Sequence, residues 1–381
     1  MKKDILFILV KYLMKILLGI RICQDDIIIL REVVGFEGIG KNINIRLIIY
    51  LEKFYGNKYF INKQLIKYKQ IRIYTSRMKV ALCFIISYEH ILNKEHIWRE
   101  WIEPNKDIIN VYFYYKDITK IKSKWILDHI IPSNYIYETS YYHVIPAYTS
   151  ILSFAVNHDK NNQWFCLLTD SCCPIISPRR FKYLFYENYN KSIMSWKKAW
   201  WNINFHKRGN LALLPEEFRL GNDPWFVLKR EHVLCINNYM NTKNQIVKTI
   251  CAGGLANESL FAIIFYASKQ LNNTQLISSH THATDWSRMS TATSPHVFKN
   301  ADKTDITFIE KFLKENKYTM FIRKVDPEFP DEILQKYIYC YSKDDYEDND
   351  PCVFNVFSIL YYGIPLLFLL FIFKYIFLYF I

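Results

Sequence analysis

The sequence predicts an α/β fold in which helices flank a mostly parallel, Rossmann-like sheet. Two observations carry this prediction. Three apolar runs, at residues 79–87, 108–115 and 163–170, have the length and composition of buried strands. Helical stretches separate these runs, and strands that alternate with helices form β-α-β units, which build parallel sheets.

The elements follow one another in a regular order. KVALCFIIS is the first strand, and a polar loop leads from it into the helical stretch KEHIWREWI. IINVYFYY is the second strand, and a helix near AYTSILSFAV with an NHDKNN turn precedes the third, QWFCLLTD. Because ligands gather at the carboxyl ends of strands in such sheets, Ser87, Tyr88 and residues 169–171 are expected near a site.

The composition favours a globular protein with an anionic partner. Hydrophobic residues make up 51% of the 381 residues, which allows a sizeable core and excludes global disorder. The net charge of +13 suits anionic lipid headgroups or a small phosphorylated ligand. No zinc finger, RNA-recognition motif or basic coiled-coil region is present, so no nucleic acid partner is expected. The absence of G-x-G-x-x-G and P-loop sequences argues against dinucleotide and kinase chemistry.

Four segments are predicted along the chain. Residues 1–77 show no readable pattern except at 4–20, which is typical of an interfacial amphipathic helix or a weak signal anchor. Residues 78–342 form the α/β domain, and 343–352 form an acidic linker. Residues 353–381 are predicted to be a transmembrane anchor in a lipid bilayer, because an uncharged run of about 20 residues can cross a ~30 Å hydrocarbon core. The alternative is a buried C-terminal helix.

Four clusters between residues 163 and 324 carry the candidate chemistry. The first is WFCLLTDSCCPIISPRRF, and the second is SWKKAWWNINFHKRGN (195–210) followed by NDPWFVLKREHV (222–233), which contains the aromatic-basic WFVLKREHV. The third is ANESLFAII, and the fourth is THATDWSR with the later FIRK. Their order and spacing resemble the core-2/I-branching β-1,6-N-acetylglucosaminyltransferase family, including its plant and large-DNA-virus relatives, over residues 79–335.

The resemblance implies both a fold and an activity. The fold is of the glycosyltransferase-A type, here with a C-terminal transmembrane helix added. The activity is inverting, metal-independent transfer of a sugar from a UDP-sugar to a glycan or glycoprotein hydroxyl. N-acetylglucosamine is the expected sugar, with another hexose or xylose as alternatives. No cofactor is expected beyond the UDP-sugar substrate.

Glu258 is the candidate catalytic base. A sugar hydroxyl is a poor nucleophile near neutral pH, so a carboxylate within hydrogen-bond reach must accept its proton. Glu258 matches the family's base, in a short signature where Asn257 replaces the usual Asp. Asn257 is expected to cap the following helix and so fix the direction of the carboxylate. The alternative is that Glu258 only complements the helix dipole.

Three basic residues are predicted to bind the donor phosphates. A transfer without a metal needs fixed cations to stabilise the leaving UDP. Lys324 matches the family's phosphate-binding lysine. Arg288 and Arg323 are expected to assist it, since a guanidinium can grip two phosphate oxygens at once. Each of the three would otherwise be a solvated surface cation.

A further set of residues is predicted to contact the sugar or the acceptor. Aromatic rings can pack against a sugar or uracil face, although most fill cores. Trp200, Trp201 and Phe226 are weaker aromatic candidates. The residues of this set are Asp170, Trp225, Lys229, Arg230, Asp285 and Trp286.

No metal site is predicted. His280 and His282 form an H-x-H pair without a third ligand nearby, and the nine cysteines include no C-x-x-C pair. Asp348 and Asp350 form a D-x-D of the kind that some glycosyltransferases use for a metal. They lie in the acidic linker, where solvated charges are the more ordinary interpretation.

Membrane orientation and activity leave alternatives open. Asn257 lies in an N-x-S sequon, and a glycan there would block Glu258, which favours a cytosol-facing domain over a Golgi- or ER-lumenal one. Protease protection on sealed membranes distinguishes the two orientations. A catalytically inactive glycan-binding protein is the main functional alternative. A glycoside hydrolase would need a second opposed carboxylate, for which Asp285 is the nearest candidate.

Overall fold

A computed structural model describes the central part of the chain, namely residues 78–86, 88–204, 207–242, 244–291 and 294–340. The predicted segments 1–77, 343–352 and 353–381 lie outside the described residues, as does Ser87. Within the described ranges, no helix is both long enough and apolar enough to cross a membrane.

The strands follow the predicted order and add several short ones. Their bounds are β1 (Lys79–Ile85), β2 (Ile109–Tyr114), β3 (Asn162–Thr169), β4 (Cys173–Pro174), β5 (Ser192–Ile193), β6 (Trp196–Lys198), β7 (Leu220–Asn222), β8 (Val227–Lys229), β9 (Leu276–Ile277), β10 (His282–Thr284) and β11 (Phe321–Arg323). The helices are α1 (Glu95–Ile102), α2 (Lys124–Leu127), α3 (Ile145–His158), α4 (Pro178–Asn188), α5 (Arg230–Asn241), α6 (Gln245–Cys251), α7 (Leu260–Ala267), α8 (Lys303–Glu315) and α9 (Asp331–Gln335).

The central sheet is mixed but mostly parallel. Its strand order is β2-β1-β3-β8-β5-β9. β1 is parallel to β2 and β3, and β5 is parallel to β9, whereas β8 is antiparallel to both of its neighbours. The predicted α/β fold with a mostly parallel sheet and flanking helices is therefore confirmed, and all three predicted strands belong to this sheet.

Both faces of the central sheet are buried. Successive side chains of a strand point to opposite faces. On β1, Val80, Leu82 and Phe84 therefore pack into one hydrophobic core, while Cys83 and Ile85 pack into another. Helices cover each face, which explains why β1 is an unbroken apolar run and does not alternate with polar residues.

A small second sheet brings the end of the domain to the carboxyl edge of β3. Its strand order is β10-β11-β4, and β4 lies just after β3. The backbone N–H of Val325, just past β11, donates to the carbonyl of Ser171 at 2.8 Å. This pairing places Arg323 and Lys324 beside residues 169–171, which are more than 150 positions earlier in the chain.

The turn that carries Glu258 differs from the prediction. Residues Ala256–Glu258 form a 3-10 turn, and α7 begins only at Leu260 after an N-cap, Ser259, that makes no side-chain cap bond. The side-chain amide of Asn222 instead holds this turn against α7. It donates to the carbonyl of Asn257 at 2.9 Å and accepts from the N–H of Ala262 at 3.1 Å. The prediction that Asn257 caps the helix is therefore wrong.

Candidate active site

Glu258 is held by an arginine that the sequence analysis did not single out. Nε of Arg208 donates to Oε2 of Glu258 at 2.7 Å, and its Nη2 also donates to Oε2. Both side chains are only 13% exposed. Burial raises the pKa of Glu258 above its ordinary value, even though the Arg208 charge opposes the rise. The result is an oriented carboxylate with increased basicity.

A close backbone contact positions Arg208. The N–H of Gly209 donates to the carbonyl of Gly254 at 2.7 Å, so the two loops lie side by side. A Cβ at Gly253 would come within 2.4 Å of the N atom of Asn210 and 2.7 Å of the carbonyl oxygen of Lys207. Only glycine permits this approach. The Gly253-Gly254 pair, five and four residues before Glu258, is a signal in the sequence that could have indicated this close approach.

Gly253→Ala is expected to separate these loops and destabilise the domain by about 1–3 kcal/mol, because the obstructing atoms are backbone and cannot rotate away. The apparent melting temperature should fall and any turnover should decrease. A melting curve by circular dichroism measures the first effect. Ala252→Gly, at the adjacent position, is the control for a change in loop flexibility. An unchanged melting temperature in Gly253→Ala would contradict the contact.

Arg323 lies at the carboxyl edge of β3. Its guanidinium carbon is 3.6 Å from the ring centroid of Trp225, and its Nη1 donates to Oγ1 of Thr169 at 2.7 Å. Arg323 is 6% exposed and Trp225 is 7% exposed. A buried guanidinium stacked on an indole ring is held in one orientation. The structure thus brings together the predicted residues Arg323 and Trp225.

Lys324 and Asp170 flank this guanidinium. The Lys324 ammonium donates to Oγ of Ser294. Burial and the neighbouring Arg323 charge lower the pKa of Lys324, while Asp170 opposes that change. Burial raises the pKa of Asp170 against the pull of Arg323 and Lys324. These mutual effects show that the predicted Asp170, Arg323 and Lys324 share one electrostatic environment.

Tyr148 on α3 contacts the turn that carries Glu258. Its hydroxyl accepts a hydrogen bond of 3.5 Å from Nδ2 of Asn257, the residue next to Glu258. Burial raises the pKa of Tyr148 well above its ordinary value. The Arg323 charge lowers that pKa and the Glu258 charge raises it. The charges of Glu258 and Arg323 therefore both act on this one buried hydroxyl.

Arg288 is engaged by two carboxylates. Its Nε donates to Oδ2 of Asp285 at 2.6 Å, and its Nη2 lies 2.9 Å from Oδ1 of Asp305. Burial alone would raise the pKa of Asp285. Hydrogen bonds from Ser287 and Arg288 have the larger combined effect, so the pKa is lowered overall. Arg288 and Asp285 therefore form an ion pair with each other, and this pair fixes the loop after β10. The structure does not present Arg288 as a free cation for a phosphate.

Lys229 and Arg230 lie away from the other predicted residues. β8 is antiparallel to β3, and Lys229 pairs with Trp164, near the start of β3. Arg230 donates to the carbonyl of Val156 at 2.8 Å and so satisfies the C-terminal end of α3. Trp164 is about 17 Å from Thr169 along β3, at ~3.3 Å per residue. The structure therefore does not bring Lys229 and Arg230 together with Arg323 and Trp225, and their acceptor-binding role stays a prediction.

Asp223 and His280 form a further pair that the sequence analysis missed. Nδ1 of His280 lies 2.6 Å from Oδ2 of Asp223, and this hydrogen bond raises the pKa of His280. The Asp223 charge also contributes to the raised pKa of Glu258. Asp223 immediately follows β7, which ends at the Asn222 that fastens the Glu258 turn.

The predicted Trp286 is 42% exposed.

The two histidines of the H-x-H pair lie in different surroundings. His282 is buried, and its ring lies 5.1 Å from that of Phe321 and 6.1 Å from that of Trp225. Burial lowers the pKa of His282 well below its ordinary value, with help from the Arg323 charge. Among the residues that the structure describes, no group of three or more His, Cys, Asp or Glu side chains could hold a metal ion. Asp348 and Asp350 are outside these residues.

Comparisons with known proteins identify one family. The model of the Core-2/I-Branching enzyme family matches residues 107–313, which is more than half of the chain. No curated protein matches the chain. Among solved structures, it is similar to 4-diphosphocytidyl-2C-methyl-D-erythritol synthase from Anaerococcus prevotii, with 10% identity and a TM-score of 0.32 over 62% of this chain and 99% of that one. At this score, that likeness says nothing of function.

Proposed function

The chain belongs to the core-2/I-branching enzyme family of glycosyltransferases, and from that premise we propose that it transfers N-acetylglucosamine from a UDP-sugar to a glycan or glycoprotein hydroxyl, with inversion and without a metal ion. The observation that carries this proposal is the buried Glu258 carboxylate, which Arg208 orients, together with the Arg323 guanidinium stacked on Trp225. The charges of Glu258 and Arg323 both act on the buried Tyr148 hydroxyl. A base and a phosphate site are what such a transfer requires. The proposal includes a glycosyltransferase-A-type version of the α/β fold.

Glu258 is the proposed base for the acceptor. Both side-chain hydrogen bonds that the described residues give it go to Oε2, so Oε1 is the oxygen that faces a substrate hydroxyl in this proposal. The hydroxyl oxygen attacks the anomeric carbon as its proton passes to Oε1, and the bond from that carbon to the UDP oxygen breaks. The raised pKa of Glu258 suits this step, because a base is most effective when its pKa approaches the working pH.

Arg323 and Lys324 are the proposed cations for the leaving group. Negative charge develops on the β-phosphate as the glycosidic bond breaks, and preorganised donors stabilise it without reorganising. The Trp225 ring fixes the plane of the Arg323 guanidinium, which suits two-point contact with phosphate oxygens. Burial lowers the pKa of Lys324, the adjacent Arg323 charge lowers it further, and Asp170 opposes both effects. Two neighbouring cations of this kind suit an anion site.

A donor screen with the full chain tests the proposal. Release of UDP is measured from UDP-N-acetylglucosamine, UDP-galactose, UDP-glucose and UDP-xylose, with and without a mixture of glycan acceptors. Acceptor-dependent release from UDP-N-acetylglucosamine is the expected result. A folded protein that binds the UDP-sugars but never releases UDP would support the inactive glycan-binding alternative. Release of free sugar from glycans would instead support a hydrolase, which the pairing of Asp285 with Arg288 disfavours.

A chelator is expected to leave transfer unchanged. The fixed charges of Arg323 and Lys324 supply the stabilisation that a divalent ion provides elsewhere. Rates of UDP release should therefore agree within about twofold with EDTA, with Mg²⁺ and with Mn²⁺. A metal-dependent glycosyltransferase assayed in parallel is the control for effective chelation. Strong inhibition by EDTA that Mn²⁺ reverses would point to the D-x-D at Asp348 and Asp350 and would overturn the metal-independent mechanism.

A further inference from the structure

We propose that Trp200 is a stacking platform for a pyranose ring of the acceptor, a subsite that rests on the proposed transfer and names its specificity-determining residue. Trp200 is 54% exposed, although large aromatic side chains are usually buried. It does not contact the donor-phosphate group of Arg323 and Trp225 in the described contacts. It contacts Trp201, which in turn contacts the Arg208 that binds Glu258.

The chain holds the Trp200 ring in one place. β6 and β7 form an antiparallel pair in which Lys197 lies opposite Gly221, and the chain after β6 folds back over this pair. A Cβ at Gly221 would come within 2.8 Å of the Trp200 ring and 2.5 Å of the Trp201 ring. Gly221 therefore provides the space into which both indole rings pack. A ring held this way loses little conformational freedom when a ligand covers it.

Contacts on either side complete the support. The Trp200 and Trp201 rings meet edge to face, with centroids 4.6 Å apart and planes at 75°. The Lys197 ammonium lies 4.2 Å from the Trp200 ring centroid. This cation–π contact draws the ring toward Lys197 and adds a donor for sugar hydroxyls beside the platform.

The Trp201 ring lies between Trp200 and the Arg208–Glu258 ion pair. The Arg208 guanidinium carbon lies 4.5 Å from the Trp201 ring centroid, and the same guanidinium donates to Glu258. Trp200, Trp201, Arg208 and Glu258 thus form a continuous chain of contacts. The attacking hydroxyl must reach Glu258, while the diphosphate belongs with Arg323. The exposed indole on the Arg208 side is therefore available to the acceptor.

The chemistry of the ring selects the ligand class. A pyranose presents a face of C–H groups that packs on an aromatic ring, and its rim of hydroxyls remains free for polar contacts. A neutral sugar ring adjoining the attacking hydroxyl therefore fits the platform. The ammonium of Lys197 and the guanidinium of Arg208 are suited to donate hydrogen bonds to hydroxyl oxygens at that rim.

Trp200→Ala is expected to raise the acceptor KM about tenfold while leaving the KM for UDP-N-acetylglucosamine unchanged. Trp200→Phe should restore most of the acceptor affinity, whereas Trp200→Leu, which is apolar but lacks a π face, should not. Leu234→Ala, at a 45% exposed apolar position on α5, is the matched control. An acceptor KM that does not change in Trp200→Ala, or that Leu restores as well as Phe, would overturn the inference.

A binding measurement separates this inference from the proposed function. Saturation-transfer NMR with methyl β-D-galactopyranoside and methyl β-D-glucopyranoside reports sugar binding without turnover. Loss of the signal in Trp200→Ala but not in Trp200→Phe supports the platform even if no UDP-sugar is turned over, in which case only the transfer proposal fails. A signal that is absent from the unaltered protein, or that survives in Trp200→Ala, overturns the platform whatever the activity.

Discussion

Glu258→Gln is expected to lower the rate of acceptor-dependent UDP release by about 10²–10⁴-fold and to leave UDP affinity nearly unchanged. Glutamine has almost the same shape and can still accept a hydrogen bond from Arg208 through its carbonyl oxygen. It cannot take a proton from the acceptor hydroxyl at neutral pH. Single-turnover rates and UDP titrations, measured on the same preparation, separate the lost proton transfer from any lost binding.

The pH profile gives this substitution a second readout. Because burial raises the pKa of Glu258, the carboxylate becomes protonated at a higher pH than an exposed glutamate. Activity of the unaltered protein should therefore fall as the pH decreases through that raised pKa, and the residual activity of Glu258→Gln should lack this acid limb. Glu216→Gln, at an exposed glutamate paired with Lys198, is the control and should retain full activity. Surviving activity in Glu258→Gln would remove the assigned role.

The fold was accessible from the sequence because its strongest elements carry local signals. β1 and β3 are buried on both faces, so each appears as an unbroken apolar run that periodicity detects directly. The short strands β4, β5 and β9 contain two residues each and exist only because neighbouring strands pair with them. Such strands have no pattern of their own to read.

The candidate site was only partly accessible. Glu258, Arg323 and Trp225 lie in recognisable motifs, and the structure stacks Arg323 on Trp225. Arg208 became visible only when the loop at residues 207–210 docked against Gly253 and Gly254. Its motif, a basic residue in a polar loop, is indistinguishable in sequence from an ordinary surface cation.

Lys229 and Arg230 show that neighbours in one motif can lie far apart in the fold. They lie next to Trp225 and Phe226 in one continuous motif, so proximity along the chain suggested a shared role. A strand advances ~3.3 Å per residue, however, and β8 runs away from the carboxyl edge of β3. Four residues are enough to move a side chain from the site to the far end of the sheet. Neither position could be assigned without the direction of β8.

Arg323→Leu is expected to lower the transfer rate by about 10²–10³-fold and to weaken UDP binding, since it removes one fixed charge at the developing β-phosphate charge. Arg323→Lys should give an intermediate result, because lysine keeps the charge but loses both the two-point geometry and the stack on Trp225. Affinities for uridine, UMP and UDP are measured by titration. Uridine affinity should be the same in all three proteins, and the loss should increase with the number of phosphates.

That dependence on phosphate number distinguishes an anion site from a structural arginine. Arg323 is 6% exposed and donates to Thr169, so its removal could also loosen the edge of β3. Loosening would weaken uridine and UDP binding alike and would lower the melting temperature of Arg323→Lys as well as that of Arg323→Leu. Arg180→Leu is the control, because this guanidinium also lies over an aromatic ring, 5.2 Å from that of Tyr183, but belongs to α4. Equal losses of uridine and UDP affinity would make Arg323 a structural residue and leave Lys324 as the phosphate-binding cation.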